Sequence, residues 1–422
     1  MLVCLLGLRG GDWLGNVWHN AGLLGLNRAL RTVSAESLDT HSLSLALVAL
    51  QHARSARPGS PLTQRALSLA YTLDDESAEA RAAWEQAGAY PADSLLQGQI
   101  AARQNRPDAA LAWYALATRF PATRAQGWYQ IGQMDIERSD WEAARAALTR
   151  AWDADHALAA KALATVLLDQ GDYAAAEHVL QITLTTVPTS YHRLWWRRAL
   201  SQSLVSQQKW QEAVAACQAA LQEFPAEPHL YVDLGWVYYE QNGDMEAALT
   251  QFQQAITVAP ARGIGEFETG QLLRRERRYA EADGWYQQAL TKNPYPYWFL
   301  ARASLARVMQ NTGLAQQIAQ EAARLYPDYA PIYYELADSY WRQGEWAAAR
   351  QALATYTQHL GAPNAAFFVL SGQIAEAEGA IADALTAYRQ ALALQPDQAV
   401  ARAALKRLSS PTETQPAGSP PP

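Results

Sequence analysis

The chain has 422 residues, 50% of them hydrophobic and 18% charged, with a formal net charge of −7 and an isoelectric point near 5.7. That length allows one large repeat structure or two to three conventional domains. The acidic balance excludes a surface that is basic throughout, the usual footprint of nucleic-acid binding. Two cysteines, Cys4 and Cys217, are too few for a disulfide framework and assign no compartment.

Ala, Leu, Gln and Arg are abundant and Val/Ile/Thr runs are scarce, so helix is predicted throughout. Residues 1–35 read as an apolar segment followed by a first helix. The run Leu2 to Leu8 is far shorter than the roughly 20 residues needed to cross a bilayer, and no basic residues precede it as a signal peptide requires. It reads as a soluble start or weak apolar tether; the trimmed end of a longer anchor helix is the alternative, and with it membrane association through the N-terminus. Residues 36–92 read as divergent helices, with weak copies of a repeat centred on Ala46 and Ala80.

From residue 93 to 396 the repeat is regular. Segments such as "GQMDIERSDWEAARAALTRAWDAD" from Gly132 and "GQLLRRERRYAEADGWYQQALTKNP" from Gly270 share one plan. A small residue is followed by a polar turn, an aromatic or apolar residue that starts a second helix, and a further small residue three positions on. The later small residue recurs at Ala110, Ala144, Ala176, Ala213, Ala248, Ala282, Ala315, Ala349 and Ala384, at intervals of 32 to 37 residues. The copy at Ala315 also fits a shifted register, because its turn is "QNTG". About nine helix pairs are expected. Residues 397–408 read as a capping helix, and 409–422 as a Pro- and Ser-rich disordered tail.

Ala248, Phe252 and Ala255 lie on one helical face, where small residues let two helix axes approach and the ring fills the gap to the next repeat. Each pair alone leaves an apolar face wet, so the pairs must stack. With Tyr231, Leu234, Gly235 and Tyr238 ahead of them and Pro260 behind, these residues resemble the tetratricopeptide repeat family. Tyr333, Leu336, Ala337, Tyr340 and Ala349 match in a later copy, as do Ala282, Tyr286, Ala289 and Pro294. The resemblance covers most of Asp93 to Leu408. It implies an all-α, right-handed superhelical solenoid of stacked antiparallel helix pairs.

The resemblance further implies a concave groove lined by first-helix positions three before, one after and four to five after the small residue. Those are Tyr129 and Gln133; Arg198 and Gln202; Val232, Trp236, Tyr239 and Glu240; Gln271, Arg274 and Arg275; and Tyr334, Trp341 and Arg342. Trp236, Tyr239, Arg274 and Arg342 are expected to converge on one face. The run Arg274-Arg275-Glu276-Arg277-Arg278 falls at a first-helix end, where cations suit the helix dipole. Its first two arginines are expected to face the groove, and Arg277 and Arg278 to form the solvated bend. The Lys and Asn positions with which some family members clamp a chaperone C-terminus are not matched. "NPYPYW" (Asn293 to Trp298) reads as a contact point or as the start of the next helix.

No phosphate-binding loop, dinucleotide fingerprint or nucleophile elbow occurs, and the eight histidines show no ligand-like pairing. Asp74, Asp75, Asp153 and Asp155 read as turn residues that cap helices. No metal, cofactor or catalytic residue is called for. The leading reading is a non-catalytic scaffold that binds a protein or peptide partner, with no nucleic acid expected. The alternatives are an accessory subunit of an envelope or secretion assembly, a nucleic-acid-binding or regulator-type solenoid, and a substrate-selecting fragment of a larger enzyme.

Overall fold

Twenty-three helices and no strand occur among the described residues, which in this computed structural model are 10–31, 39–88, 91–360 and 363–409. The run Leu2 to Leu8 and the tail from residue 410 lie outside them. The chain divides into two units, Met1–Ala216 and Cys217–Pro422. The first contains α1 (Gly10–Arg31), α2 (Thr40–Ala56), α3 (Pro61–Leu73), α4 (Ser77–Gln86), α5 (Pro91–Arg103), α6 (Pro107–Ala117), α7 (Arg124–Glu137), α8 (Trp141–Ala154), α9 (His156–Asp169), α10 (Tyr173–Thr186) and α11 (Arg193–Ser206). The division falls within α12 (Trp210–Glu223). The second contains α13 (Pro228–Asn242), α14 (Met245–Val258), α15 (Ile264–Arg275), α16 (Tyr279–Lys292), α17 (Pro296–Val308), α18 (Thr312–Leu325), α19 (Pro331–Arg342), α20 (Trp346–Leu360), α21 (Ala365–Ala377), α22 (Ile381–Leu394) and α23 (Ala399–Ser409). Within each unit, the first helices α1, α3, α5, α7 and α9, and α13, α15, α17, α19 and α21, pair with the second helices that follow them, and α23 packs on α22.

The turn inside each pair from α3 onward rests on one left-handed residue. Asp75, Asn105, Ser139, Gly171, Gln208, Gly243, Arg277, Gln310, Gly344 and Gly379 all sit two positions before a second helix, with φ between 57° and 80°. At Ser139 the N–H donates to the Ile136 carbonyl at 2.9 Å, and the Asp140 N–H reaches back to the Asp135 carbonyl at 2.9 Å. These two bonds satisfy carbonyls that the ending helix leaves open. The same pair recurs at Arg277, from the Arg277 N–H to the Arg274 carbonyl and from the Arg278 N–H to the Leu273 carbonyl. The residue after the bend occupies the N-cap position of the second helix, and in four pairs its side chain caps it. Asp140, Asp172, Asp244 and Asn311 each accept from the N–H of the third helical residue.

Counted from that cap, the fourth, eighth and eleventh residues of the second helix face its partner. Ala248, Phe252 and Ala255 are 0%, 0% and 1% exposed, and Ala282, Tyr286 and Ala289 are all at 0%. The first helix meets the eighth residue with a small one. A Cβ on Gly270 would lie 2.7 Å from the Tyr286 ring, and one on Gly235 would lie 2.6 Å from the Phe252 ring. Glycine inside a helix costs about 1 kcal/mol relative to alanine. Forcing an extra methyl into a packed ring costs about 1–3 kcal/mol. The overlap is the larger effect, so glycine is the better choice there.

The same relation identifies the first pair. A Cβ on Gly22 would lie 2.5 Å from Leu50 and 3.3 Å from the Ala46 carbonyl, matching Gly132 against Leu148 and the Ala144 carbonyl at 2.6 and 3.4 Å. Ala46 therefore holds the alanine role, although α2 begins three residues early relative to the other second helices. The register at Ala315 is also settled: Asn311 caps α18, and Ala315 is 1% exposed in the core beside Ile318 and Ala319.

Two expectations change. Asp153 lies inside α8, because the helix runs on to the Asp155 cap; Asp155 accepts from Ala157 and Leu158 N–H. Asp74 closes α3 and Asp75 is the left-handed residue, ion-paired to Arg106 at 2.7 Å, so neither caps a helix start.

Gly270→Ala is expected to lower stability by up to about 2 kcal/mol, the overlap cost less the roughly 1 kcal/mol that alanine gains in a helix, read as an earlier urea midpoint. Arg277→Gly should raise stability by about 0.5–1 kcal/mol, because it relieves a left-handed non-glycine residue. A rise in melting temperature checks it.

Candidate functional site

The expected site residues fall into separate groups, taken here unit by unit. In the first unit Tyr129 and Gln133 sit one turn apart on α7, both half-buried. Arg198, half-buried, and Gln202, exposed, sit one turn apart on α11. Helix α9 packs on both α7 and α11 and lies between the two pairs. Aromatic–cation contacts mark the same helices, with Arg150 4.6 Å from the Trp128 ring and Lys161 5.7 Å from the Trp195 ring.

In the second unit, α13 and α15 bring Trp236, Tyr239, Gln271, Arg274 and Arg275 together. The Trp236 and Tyr239 rings meet edge to face at 5.8 Å, and the Arg275 guanidinium lies 4.6 Å from Trp236 and 5.9 Å from Tyr239. Arg275 also ion-pairs with Glu240. The Trp236 indole N–H donates to Glu268 Oε2 at 2.9 Å, and the Tyr239 hydroxyl donates to Glu276. That bond holds the Tyr239 hydroxyl above the usual tyrosine range. Each such contact is worth about 0.2–1 kcal/mol at an exposed site. Together they favour one position for Arg275, but they are too weak to lock it. Arg274 is exposed and donates to Gln271, which also accepts from the Tyr286 hydroxyl. Burial pushes that hydroxyl up to about 12.

Val232 corrects the expected groove list. It is 6% exposed and packs in the core with Phe252 and Leu272, because its turn of α13 faces inward. The arginine run is largely compensated: Arg275 pairs with Glu240, and Arg278 grips both oxygens of Glu281 at 2.7 and 2.6 Å. In "NPYPYW", Trp298 is buried and stacked on Phe267 at 5.0 Å, whereas Tyr295 and Tyr297 are half exposed.

Helices α17 and α19 form a second group. Arg342 pairs with Asp338 at 2.7 Å and lies 5.6 Å from the Trp341 ring, and Arg307 pairs with Glu335 at 3.1 Å. Burial raises the Glu335 carboxyl above its ordinary range, and burial likewise raises the Tyr334 hydroxyl. Arg342 thus belongs with Asp338 and Arg307, apart from the Trp236 group.

A third group, apart from Trp341, was not singled out from sequence. A cavity of about 580 Å³ is lined by Trp341, Gln373, Glu376, Tyr388, Val400 and Arg407, among others. Glu376 pairs with Arg407 and accepts from the Tyr388 hydroxyl at 3.0 Å. The Arg407 hydrogen bond pulls the Glu376 carboxyl below its usual range. Gln373 and Glu376 stand one and four residues after Gly372, so the offsets used for the other first helices would have found them. Among the described residues no cluster of His, Cys, Asp and Glu could hold a metal ion, and no helix is long and apolar enough to cross a membrane.

Because the folded-state Glu376 carboxyl lies below its unfolded value, its contribution is full above the ordinary carboxylate range. It is lost as pH falls through the folded value. Arg407→Gln should therefore lower the urea midpoint at pH 7, and its difference from wild type should shrink towards zero in a denaturation series taken down to pH 3.

Comparison with known proteins follows the same lines. Two family models described as tetratricopeptide repeat match residues 129–191, 198–262 and 238–295 in one case and 309–366 in the other, together just over half of the chain. No curated protein matches it significantly. Among solved structures, it is similar to a tetratricopeptide repeat protein from Parabacteroides merdae, with 21% identity over 58% of this chain and 96% of that one and a TM-score of 0.40. It is also similar to PilW, described as a widely conserved type IV pilus biogenesis factor, with 20% identity over 51% of this chain and 100% of that one and a TM-score of 0.42. Pseudomonas aeruginosa pilF shows 19% identity over 50% of this chain and 96% of that one, with a TM-score of 0.42.

Proposed function

The chain belongs to the tetratricopeptide repeat family, and from that premise we propose that it is a non-catalytic protein-interaction scaffold whose α13–α15 face holds a partner segment. The observation that carries this reading is the ordered group of Trp236, Tyr239 and Arg275. Trp, Tyr and Arg are the residue types that most often dominate interface energy. Here they are positioned by contacts within the chain, so less side-chain freedom is lost when a partner arrives.

The surrounding charges define the partner's chemistry. Glu240, Glu268 and Glu276 are engaged by Arg275, Trp236 and Tyr239, while Arg274 remains exposed beside Gln271. A fitting segment lays an apolar or aromatic side chain against Trp236 and sets an acidic group at Arg274. A nucleic acid fits poorly, because carboxylates lie beside Arg275 and Arg278 and little counterion release remains to drive binding.

The test is affinity capture with quantitative mass spectrometry on wild type, Trp236→Ala, Arg274→Glu and a control, Gln254→Ala, on α14. Specific partners should fall at least tenfold with the first two variants and stay with the control. Equal recovery from all four would overturn the assignment of this face.

A further inference from the structure

In each later first helix, three positions face the second helix that precedes it: five before, one before and two after the small residue. In α9 these are Ala159, Leu163 and Val166, at 0%, 1% and 1% exposure. In α3 they are Thr63, Leu67 and Ala70, and in α19 they are Ile332, Leu336 and Ser339, all buried. Two glycines show what lies against the first of these positions. A Cβ on Gly265 would meet the Phe252 carbonyl oxygen and Ile256 of α14 at 2.5 and 2.6 Å. One on Gly127 would meet Tyr114, Ala117 and Thr118 in and just after α6.

Counted from Gly22, the same positions in α1 are Val17, Ala21 and Leu24, and Leu14 continues the stripe. Val17 is 44% exposed, Leu24 66% and Leu14 48%, and Ala21 is exposed too. In the later first helices these positions are buried or, as at Ile131 and Met134 of α7, half-buried, whereas in α1 the stripe is apolar and open in the same register.

A charge extends the match. Six positions after the small residue, several later first helices reach the opening turns of the preceding second helix. Arg138 pairs with Asp108 at 3.3 Å, Gln170 donates to Glu142 at 3.4 Å, and Glu378 pairs with Arg350 at 3.4 Å. In α1 that position is Arg28, which is exposed.

We infer that the outer face of α1 docks an amphipathic helix of another protein, one with a small-residue stripe and an acidic residue near its N-terminus. A second copy is the poorer occupant, because most of its second helices are already covered. The second helices α2, α6, α8, α10, α14, α16, α18, α20 and α22 are each already packed against the helix that follows, and α22 is closed by α23. The inference concerns a different surface from the α13–α15 face and stands or falls independently of it.

The probe is a labelled peptide with the sequence of Asp140–Ala154, which has the required cap, acid and alanine stripe, titrated into the full chain by fluorescence polarisation. Saturable binding is expected, weakened at least tenfold by Leu24→Glu, an exposed substitution whose folding is checked by an unchanged melting curve. A Glu142→Lys peptide should bind several-fold less tightly to wild type, and Arg28→Glu should restore it. No binding to wild type, binding unaffected by Leu24→Glu, or failure of the charge swap overturns the inference. So does a wild-type dimer that Leu24→Glu dissociates, which assigns the face to self-pairing, or Leu24-dependent binding to neutral phosphatidylcholine vesicles, which assigns it to lipid.

Discussion

The close approach of the two helices in each pair is the constraint on which the rest depends. It is achieved by setting an alanine at the fourth position of the second helix and a ring or leucine at the eighth beneath a small first-helix residue. Full burial of a side chain such as Phe252 or Tyr286 is worth about 1.5–3 kcal/mol. That gain is available only where the opposing backbone comes near enough to leave no void. The left-handed bend and the cap after it are secondary to this contact, because they deliver the second helix at the register that places those residues against the first.

Once that face of each first helix is used, its remaining surface is divided between the neighbouring second helix and solvent. This division explains why the solvent-facing groups on α13, α15, α17 and α19 are so heavily cross-linked. Arg275, Arg307 and Arg342 each lie beside carboxylates of the same or an adjacent first helix. Successive first helices lie side by side, so a long cation on one is within reach of an acid on the next. Exposed pairs of this kind add little to stability. Their main effect is to hold aromatic and guanidinium groups in place, which matters more for recognition than for folding.

The helices and their register were legible in the sequence because the packing rule repeats, and a rule stated nine times tolerates local exceptions. Ala248, Phe252 and Ala255 could be placed from spacing alone. The first pair was harder: α2 starts early, so the Ala46 register emerges only from the contact of Gly22 with Leu50. Site residues were legible as positions on a helix but not as neighbours. Spacing placed Trp236 and Arg275 on open faces, but it could not reveal that Arg275, rather than Arg274, lies against the indole, or that Arg342 joins Asp338. Those outcomes depend on the offset between adjacent first helices, a tertiary quantity that no single repeat encodes. Val232 was misread for a related reason, since the width of the open stripe is set by the neighbouring helix.

The first and last described helices differ in the chemistry of their outer faces. A terminal helix must present water with the face that an interior helix presents to its neighbour, and a polar substitution there is the usual solution. α23 follows it: Ala401 and Ala404 are buried against the stack while Arg402 and Lys406 are exposed. α1 does not. Leu14, Val17, Ala21 and Leu24 retain on an exposed face the residue types that the interior helices bury. Stability gives no reason to keep leucine at 66% exposure, because replacing it with a polar residue would sacrifice little packing. A face that keeps interior chemistry in interior register is therefore better explained by something that packs against it than by the folding of α1 itself.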